Sequence, residues 1–315
     1  MAAGRRDRPA AVRNVSDAAV TVHRETGIRA GRLGRAVAPY TAFLPAIVLL
    51  GGFFLVPLGI IVLYSFWEVI DYNVVHHWTL DNYRYFFSVG AYVQTMWKTL
   101  VVSLVATGLS IGLAFPFASW LSRYVPRRWR APLLVLVVVP FWTSYLLRVY
   151  SWLTILDRKG LLSRFLEWSG ITSHPTGVFL YNRPAIVLVL VYLYFPFAAL
   201  TLYSSIERFD WDQLRAARDL GATPLGAVRR ILIPQIRPGI VTAVIFVFIP
   251  ILGEYLTPQI VGGASVPMIG NLVFNFFQNA EYTRGAAVSL LIALFILLLL
   301  IVFRRSLSTR EAYGG

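Results

Sequence analysis

Six stretches of this chain stay apolar for long enough to cross a bilayer, which takes about 20 residues each: 40–66, 98–121, 131–155, 184–206, 238–261 and 285–303. They predict an all-α polytopic membrane protein with six transmembrane helices. The first stretch is too long for a secretory signal and follows a polar, basic leader, so it reads as a span. Residues 1–38 are rich in Arg and Ala without apolar periodicity and read as a cytoplasmic tail, disordered or lying on the lipid surface. Residues 39–305 then form one transmembrane domain, and 306–315 a second short tail. Residues 266–280 are apolar but too short to span, which predicts a re-entrant or surface helix. The connection 68–97 carries Glu68, Asp71, Asp81 and Arg84 and then Tyr83, Tyr85, Phe86 and Phe87, the make-up of an interfacial turn with an aromatic belt. Pro45, Pro57, Pro116, Pro140, Pro196, Pro250 and Pro258 punctuate the stretches, and each permits a bend.

Composition agrees with this pattern. Hydrophobic residues make up 57% and charged residues 14%, where a soluble domain carries about 25% charged; the mean hydropathy is +0.65. With no cysteine there is no disulfide, thiolate metal site or cysteine nucleophile, and His23, His76, His77 and His174 are too scattered for a metal cluster.

Charge adds sidedness. The net charge is +14, and Lys and Arg alternate with the connections: eight in the N-terminal tail, four after the second stretch, six after the fourth and three at the C-terminus, 21 of the 29. By the positive-inside rule both termini lie in the cytoplasm. The positive charge is therefore assigned to topology and anionic lipid, and nucleic acid is set aside.

The most informative segment is the cytoplasmic connection 207–237. Asp210 or Asp212 can cap a short helix running to Leu220. Gly221 supplies a residue tolerant of positive φ to end it, and Thr223-Pro224 starts a second helix with Thr as N-cap and Pro at its first position. Leu225, Val228, Ile231 and Leu232 follow at helical spacing before Pro234. Two short helices and a sharp turn make a rigid knob, and the small Ala216 and Ala217 let it dock closely.

This segment resembles the "EAA" coupling loop of ABC importer permeases, whose pattern is Glu-Ala-Ala, three residues, Gly, nine residues, Ile-x-Leu-Pro. Here Ala216-Ala217, Gly221, Ile231 and Pro234 stand in register, with Arg215 in place of the Glu and Ile233 in place of the Leu. Pro140-Phe141-Trp142-Thr143-Ser144-Tyr145-Leu146-Leu147-Arg148-Val149-Tyr150-Ser151-Trp152 and Gly253-Glu254-Tyr255-Leu256-Thr257-Pro258 are similar to the spermidine/putrescine permease group. Leu80-Asp81-Asn82-Tyr83, Val261-Gly262-Gly263, Pro267–Asn271 and Gly285-Ala286-Ala287 add to the likeness, which covers 40–305.

The resemblance implies a type I ABC importer permease in a bacterial plasma membrane. Its implied partners are two ATPase subunits, a second permease subunit and an extracytoplasmic substrate-binding protein. It implies no cofactor in this chain, ATP and Mg being bound by the ATPases. Arg215, Ala216, Ala217, Asp219, Gly221, Ile231 and Pro234 would form the coupling loop. Arg215 reverses the family's charge, leaving Asp212 or Asp219 to make an ion pair to the ATPase. The implied cargo is a polyamine, with iron, phosphonate, opine and sulfate permeases sharing much of the pattern.

Glu254 is the one acidic residue inside a predicted span, about 24 Å into the fifth at 1.5 Å per residue. It would compensate a cationic substrate, with Trp142, Tyr145 and Tyr255 available for cation–π contact; Ser144 and Arg148 complete the candidate path. Alternatively Glu254 pairs with Arg148 in a structural bridge, or faces outer headgroups. No GxxxxGK[ST] loop, Gly-x-Ser-x-Gly elbow or intramembrane carboxylate pair is present, so no catalysis is expected of this chain. A channel or secondary transporter would have no use for the knob.

Overall fold

The computed structural model describes residues 45, 48–70, 73–171, 174 and 179–307, with side chains through 304. Both predicted tails apart from 306–307, the first residues of the first span and Asp71 lie outside them. The chain forms two units, residues 1–60 and 61–315. In the first, apolar residues from Val48 onward form most of α1 (Val48–Ser65).

The second unit opens with a hairpin, β1 (Glu68–Ile70) against antiparallel β2 (Asn73–Val75), in the register Glu68 opposite Val75. There follow α2 (Asp81–Ser88), α3 (Gly90–Tyr124), α4 (Arg127–Val138), α5 (Tyr145–Leu156), α6 (Leu161–Trp168), α7 (Arg183–Ile206), α8 (Asp212–Asp219), α9 (Pro224–Ala227), α10 (Ile233–Gln235), α11 (Arg237–Leu252), α12 (Ile269–Gln278) and α13 (Tyr282–Leu307). Asn82 ties α2 to the chain just before the hairpin, its amide donating to the carbonyls of Ser65 at 3.0 Å and Trp67 at 2.7 Å.

α7 sits at the centre, against α3 and α11. Its Ala198, Ala199 and Leu202 meet Ala106, Ala114, Ala118 and Leu121 of α3 and Ala243, Val247 and Ile251 of α11. Lipid tails are as apolar as leucine, so helices in a bilayer associate through close van der Waals packing, and small residues permit the approach. Gly239 is the extreme case: a Cβ there would collide with the Ser205 side chain.

Among the described residues, α1, α3, α7 and α13 are long and apolar enough to cross a membrane. The predicted third and fifth spans are not continuous helices, and each is interrupted close to a proline, Pro140 and Pro258, that the sequence reading named as permitting a bend. The third breaks between a 3-10 turn at Val139–Trp142 and Tyr145, and the segments 127–142 and 145–168 meet at 90°. Pro140 would clash with the Leu136 carbonyl in an unbroken α-helix, and Thr143 and Ser144 are extended. The fifth ends at Leu252 rather than 261. Pro258 excludes an α-helix through the Glu254 carbonyl, and a separate π-helical turn occupies Pro258–Gly262. The apolar segment near 266–280 is a second bent pair, 258–265 and 269–278 crossing at 89°.

Candidate functional site

Two sites follow from this frame. The first is the knob, α8 to α10. Neither aspartate caps α8 as the sequence reading expected. Trp211 occupies the N-cap, and Asp210 Oδ1 instead accepts the Asp212 N–H at 3.0 Å in the turn before it. Asp212 lies in the first turn, where the helix dipole favours an anion, and pairs with Arg215 at 2.7 Å. Gly221 turns the chain at φ +87, a left-handed conformation that costs other residues about 1–2 kcal/mol. Thr223 Oγ1 then accepts the Gly226 N–H at 3.1 Å, and Pro224 opens α9.

Pro234 does not end this helix. A π-helical turn at Val228–Leu232 carries the chain past the clash that Pro234 would otherwise make with the Arg230 carbonyl. The bend of 74° into α11 comes after Gln235.

Leu214, Ala227, Leu232 and Ile236 bury the knob's inner face in the same core as α3 and α7. Trp211 Nε1 reaches Ser122 Oγ at 3.4 Å, the Arg123 guanidinium lies 5.3 Å from the Trp211 ring, and Gln235 donates to Gln213 at 2.7 Å. The outer face presents Leu220, 90% exposed, and Leu225, 77% exposed, beside Arg215, Ala216, Arg218 and Asp219. Ala217 and Ile231 are half-buried and pack inward.

The second site lies where α11 breaks. Glu254, placed by sequence inside a helix, sits in the non-helical link after Leu252 and is 8% exposed. Its Oε1 accepts the backbone N–H groups of Leu256 at 3.0 Å and Thr257 at 3.2 Å, the role of an N-cap for the next turn. Its Oε2 accepts the hydroxyls of Tyr145 at 2.6 Å and Tyr194 at 3.3 Å. Tyr145 Oη also lies 2.9 Å from Thr257 Oγ1. One carboxylate therefore joins α5, α7 and the link.

Arg148 is also 8% exposed, but no ion pair joins it to Glu254 among the described residues, so the bridge considered from sequence is not formed. Its guanidinium stands 4.4 Å from the Phe141 ring centroid and 5.6 Å from that of Tyr145, and its Nε has no hydrogen-bond partner. Tyr145 thus has the cation over its ring and the anion at its hydroxyl. Trp142, 81% exposed, and Ser144 lie on the break beside this cluster without joining it. Tyr255 is stacked on Phe274 of α12, centroids 4.9 Å apart and planes at 17°. Sequence reasoning missed Tyr194 and Thr257: α7 offers Tyr192 and Tyr194, and only the rotation of the helix decides which one meets the carboxylate.

A polytopic helical bundle, broken at prolines and carrying a rigid knob outside it, is the architecture of a transport permease. Residues 108–308 match the family described as binding-protein-dependent transport system inner membrane component. The chain belongs to that family. It is 37% identical over 229 residues to the spermidine/putrescine transport system permease protein PotB of Escherichia coli K12, covering 72% of this chain and 82% of the relative. It is 29% identical over 252 residues to the inner membrane ABC transporter permease protein YdcU of the same organism, covering 76% and 79%. Among solved structures, a chain of a bacterial alginate ABC transporter bound to a periplasmic protein carrying alginate pentasaccharide shares the fold. Its TM-score is 0.70 at 18% identity, with 88% of this chain and 99% of that one covered.

Proposed function

We propose that this chain is one of two permease subunits of an ATP-driven importer for a polyamine of the spermidine/putrescine class. The observation that carries the coupling role is the knob: a helix–Gly–helix element, rigidly tied to α3 and α7, whose outer face shows two leucines to solvent. An exposed apolar pair on a rigid base fits a groove on an ATPase, and a push on the knob passes through packed helices to the breaks.

The ATPase pair binds ATP and Mg, and this chain does no catalysis. A substrate-binding protein delivers cargo at the opposite face, and both termini lie in the cytoplasm. Arg215, Ala216, Ala217, Asp219, Gly221, Ile231 and Pro234 form the coupling element. Arg215 is held by Asp212, which leaves Asp219 to offer the anion to the ATPase. Trp142, Ser144, Tyr145, Arg148, Glu254 and Tyr255 border the path.

The polyamine cargo is supported by the likeness to PotB and by the Glu254 carboxylate. α11 rises about 24 Å from the knob over its 16 residues, so in a core of about 30 Å Glu254 lies in the outer half. There it biases the path toward cations.

The test is reconstitution with the ATPases, second permease and binding protein in liposomes, with spermidine uptake and ATP hydrolysis measured together. Wild type takes up spermidine; Gly221→Pro inserts and assembles but hydrolyses ATP without uptake. Normal coupled uptake by Gly221→Pro would sink the docking role, and absence of spermidine and putrescine uptake by wild type would sink the cargo.

A further inference from the structure

Arg148 is a buried charge to which no anion is paired among the described residues. It is 8% exposed. Its guanidinium lies against the rings of Phe141 and Tyr145, at 4.4 and 5.6 Å from their centroids, so it is held inward and does not snorkel to the headgroups. Nε is enclosed with no hydrogen-bond partner, and no ion pair or hydrogen bond among the described residues reaches the two Nη atoms. Glu254 is committed elsewhere. Its oxygens already accept four hydrogen bonds, and Tyr145, which donates one of them, meets the arginine through its ring instead. We infer that the missing anion is a carboxylate of the second permease subunit, set against Arg148 when the two subunits assemble. The inference rests on the two-subunit reading given above.

A charge taken out of water is costly unless it is paired and hydrogen-bonded, and inside a bilayer such residues face protein or a wet cavity and pair with one another. Ring faces attract a guanidinium, but they leave its N–H donors without acceptors. The planar fork of arginine matches a carboxylate, with two parallel hydrogen bonds. The surface around Arg148 is also not built for lipid. Beside it the third span breaks, and Thr143 and Ser144 lie exposed in extended backbone. Irregular backbone at membrane depth is tolerated only where protein covers it or water lines it. Trp142 is 81% exposed on this break, and Phe197 of α7, whose ring meets that of Phe141 edge-on at 4.9 Å, is 42% exposed. The outward Leu297, Leu298, Ile301 and Val302 of α13 show by contrast what a lipid face is made of. A second subunit seated on the break covers its backbone and its aromatic side chains, and can bring a carboxylate to the arginine. The pair also reconciles Arg148 with the cargo: alone, the guanidinium repels a polyamine passing beside it, and neutralised it does not.

The experiment uses the complete transporter, purified through a tag on the second permease and reconstituted in liposomes with its ATPases and binding protein. Each Asp and Glu in the membrane segments of the second permease is changed in turn to Asn or Gln, alone and together with Arg148→Gln. Copurification of this chain and spermidine uptake are then measured. Breaking one side of a buried ion pair is costly, whereas replacing both sides is close to neutral. Uptake is therefore expected to fall about tenfold or more with Arg148→Gln and with one of the carboxylate changes, and to return to within about threefold of wild type when the two are combined. Arg148→Lys keeps the charge without the planar fork and is expected to fall between. Wild-type uptake by Arg148→Gln overturns the inference, and so does failure of every carboxylate change to restore it. If Arg148→Gln does not insert, the same double variants are scored for insertion, and no rescue again overturns the pair. Rescue by added anionic lipid alone would assign the anion to a phosphate and overturn it too. A wild-type chain that copurifies with no second permease shows, before any variant is made, that the two-subunit reading itself has failed.

Discussion

Glu254 shows how a single side chain can be read too simply from its charge. An acidic residue deep in an apolar segment looks like bait for a cation, yet each of its oxygens is turned toward donors of its own protein. The tyrosine bonds are unequal, 2.6 Å for Tyr145 and 3.3 Å for Tyr194, and Tyr145 alone also meets Thr257. A hydrogen bond to a charged group contributes about 1.5–3 kcal/mol. Tyr145→Phe is therefore expected to destabilise the purified chain within that range, and Tyr194→Phe by less than half as much. Thermal unfolding of the two variants side by side checks this, and equal losses would mean that the carboxylate does not depend on Tyr145 in particular. The presence of the carboxylate was legible in the sequence. Its partners were not, because they come from positions 60 and 109 residues away and depend on helix rotation.

The same contrast appears in the elements. Gly221 and the Thr223-Pro224 start were legible because their physics is local: a left-handed φ, a hydroxyl reaching three residues on, a ring that needs no N–H. How far the third and fifth spans break was not. The prolines mark where a bend can fall, but hydropathy counts apolar residues only and does not tell a kink from a full break, so 131–155 and 238–261 each read as one span. Pro234 reads as a stop, yet the π-helical turn before it lets the helix pass. Glycines separate tight crossings from idle ones. A Cβ at Gly270 would meet the carbonyl oxygens of Glu254 and Gly253 at 2.6 and 2.9 Å, whereas one at Gly108, within α3, meets nothing within 4 Å. Gly270→Ala should push α12 off the link and lower the unfolding temperature clearly. Gly108→Ala should be neutral or stabilising by about 0.5–1 kcal/mol. Similar behaviour of the two variants would show that α12 does not pack closely on the break.

At the scale of the whole molecule, membrane crossing was read from composition and sidedness from the placement of arginines, and both are global sums that tolerate errors at individual helices. On the proposed topology, with both termini in the cytoplasm, the knob tip and the turn between α12 and α13 face opposite sides of the membrane. The chain has no cysteine, so a single introduced thiol reports its own location. Asn279→Cys is expected to react with a membrane-impermeant maleimide in cells whose outer barrier is opened, and Leu220→Cys only after the inner membrane is lysed. The reverse pattern would invert the topology and remove the knob from any cytoplasmic ATPase.

Leu220 and Leu225 also bear on how the cell must supply this subunit. On the proposed docking role, a chain inserted without its ATPase displays two leucines on a rigid tip, the kind of surface that chaperones hold and quality-control proteases recognise. Under that reading, balanced synthesis of the subunits protects this chain, and an orphan copy is expected to be the shorter-lived one.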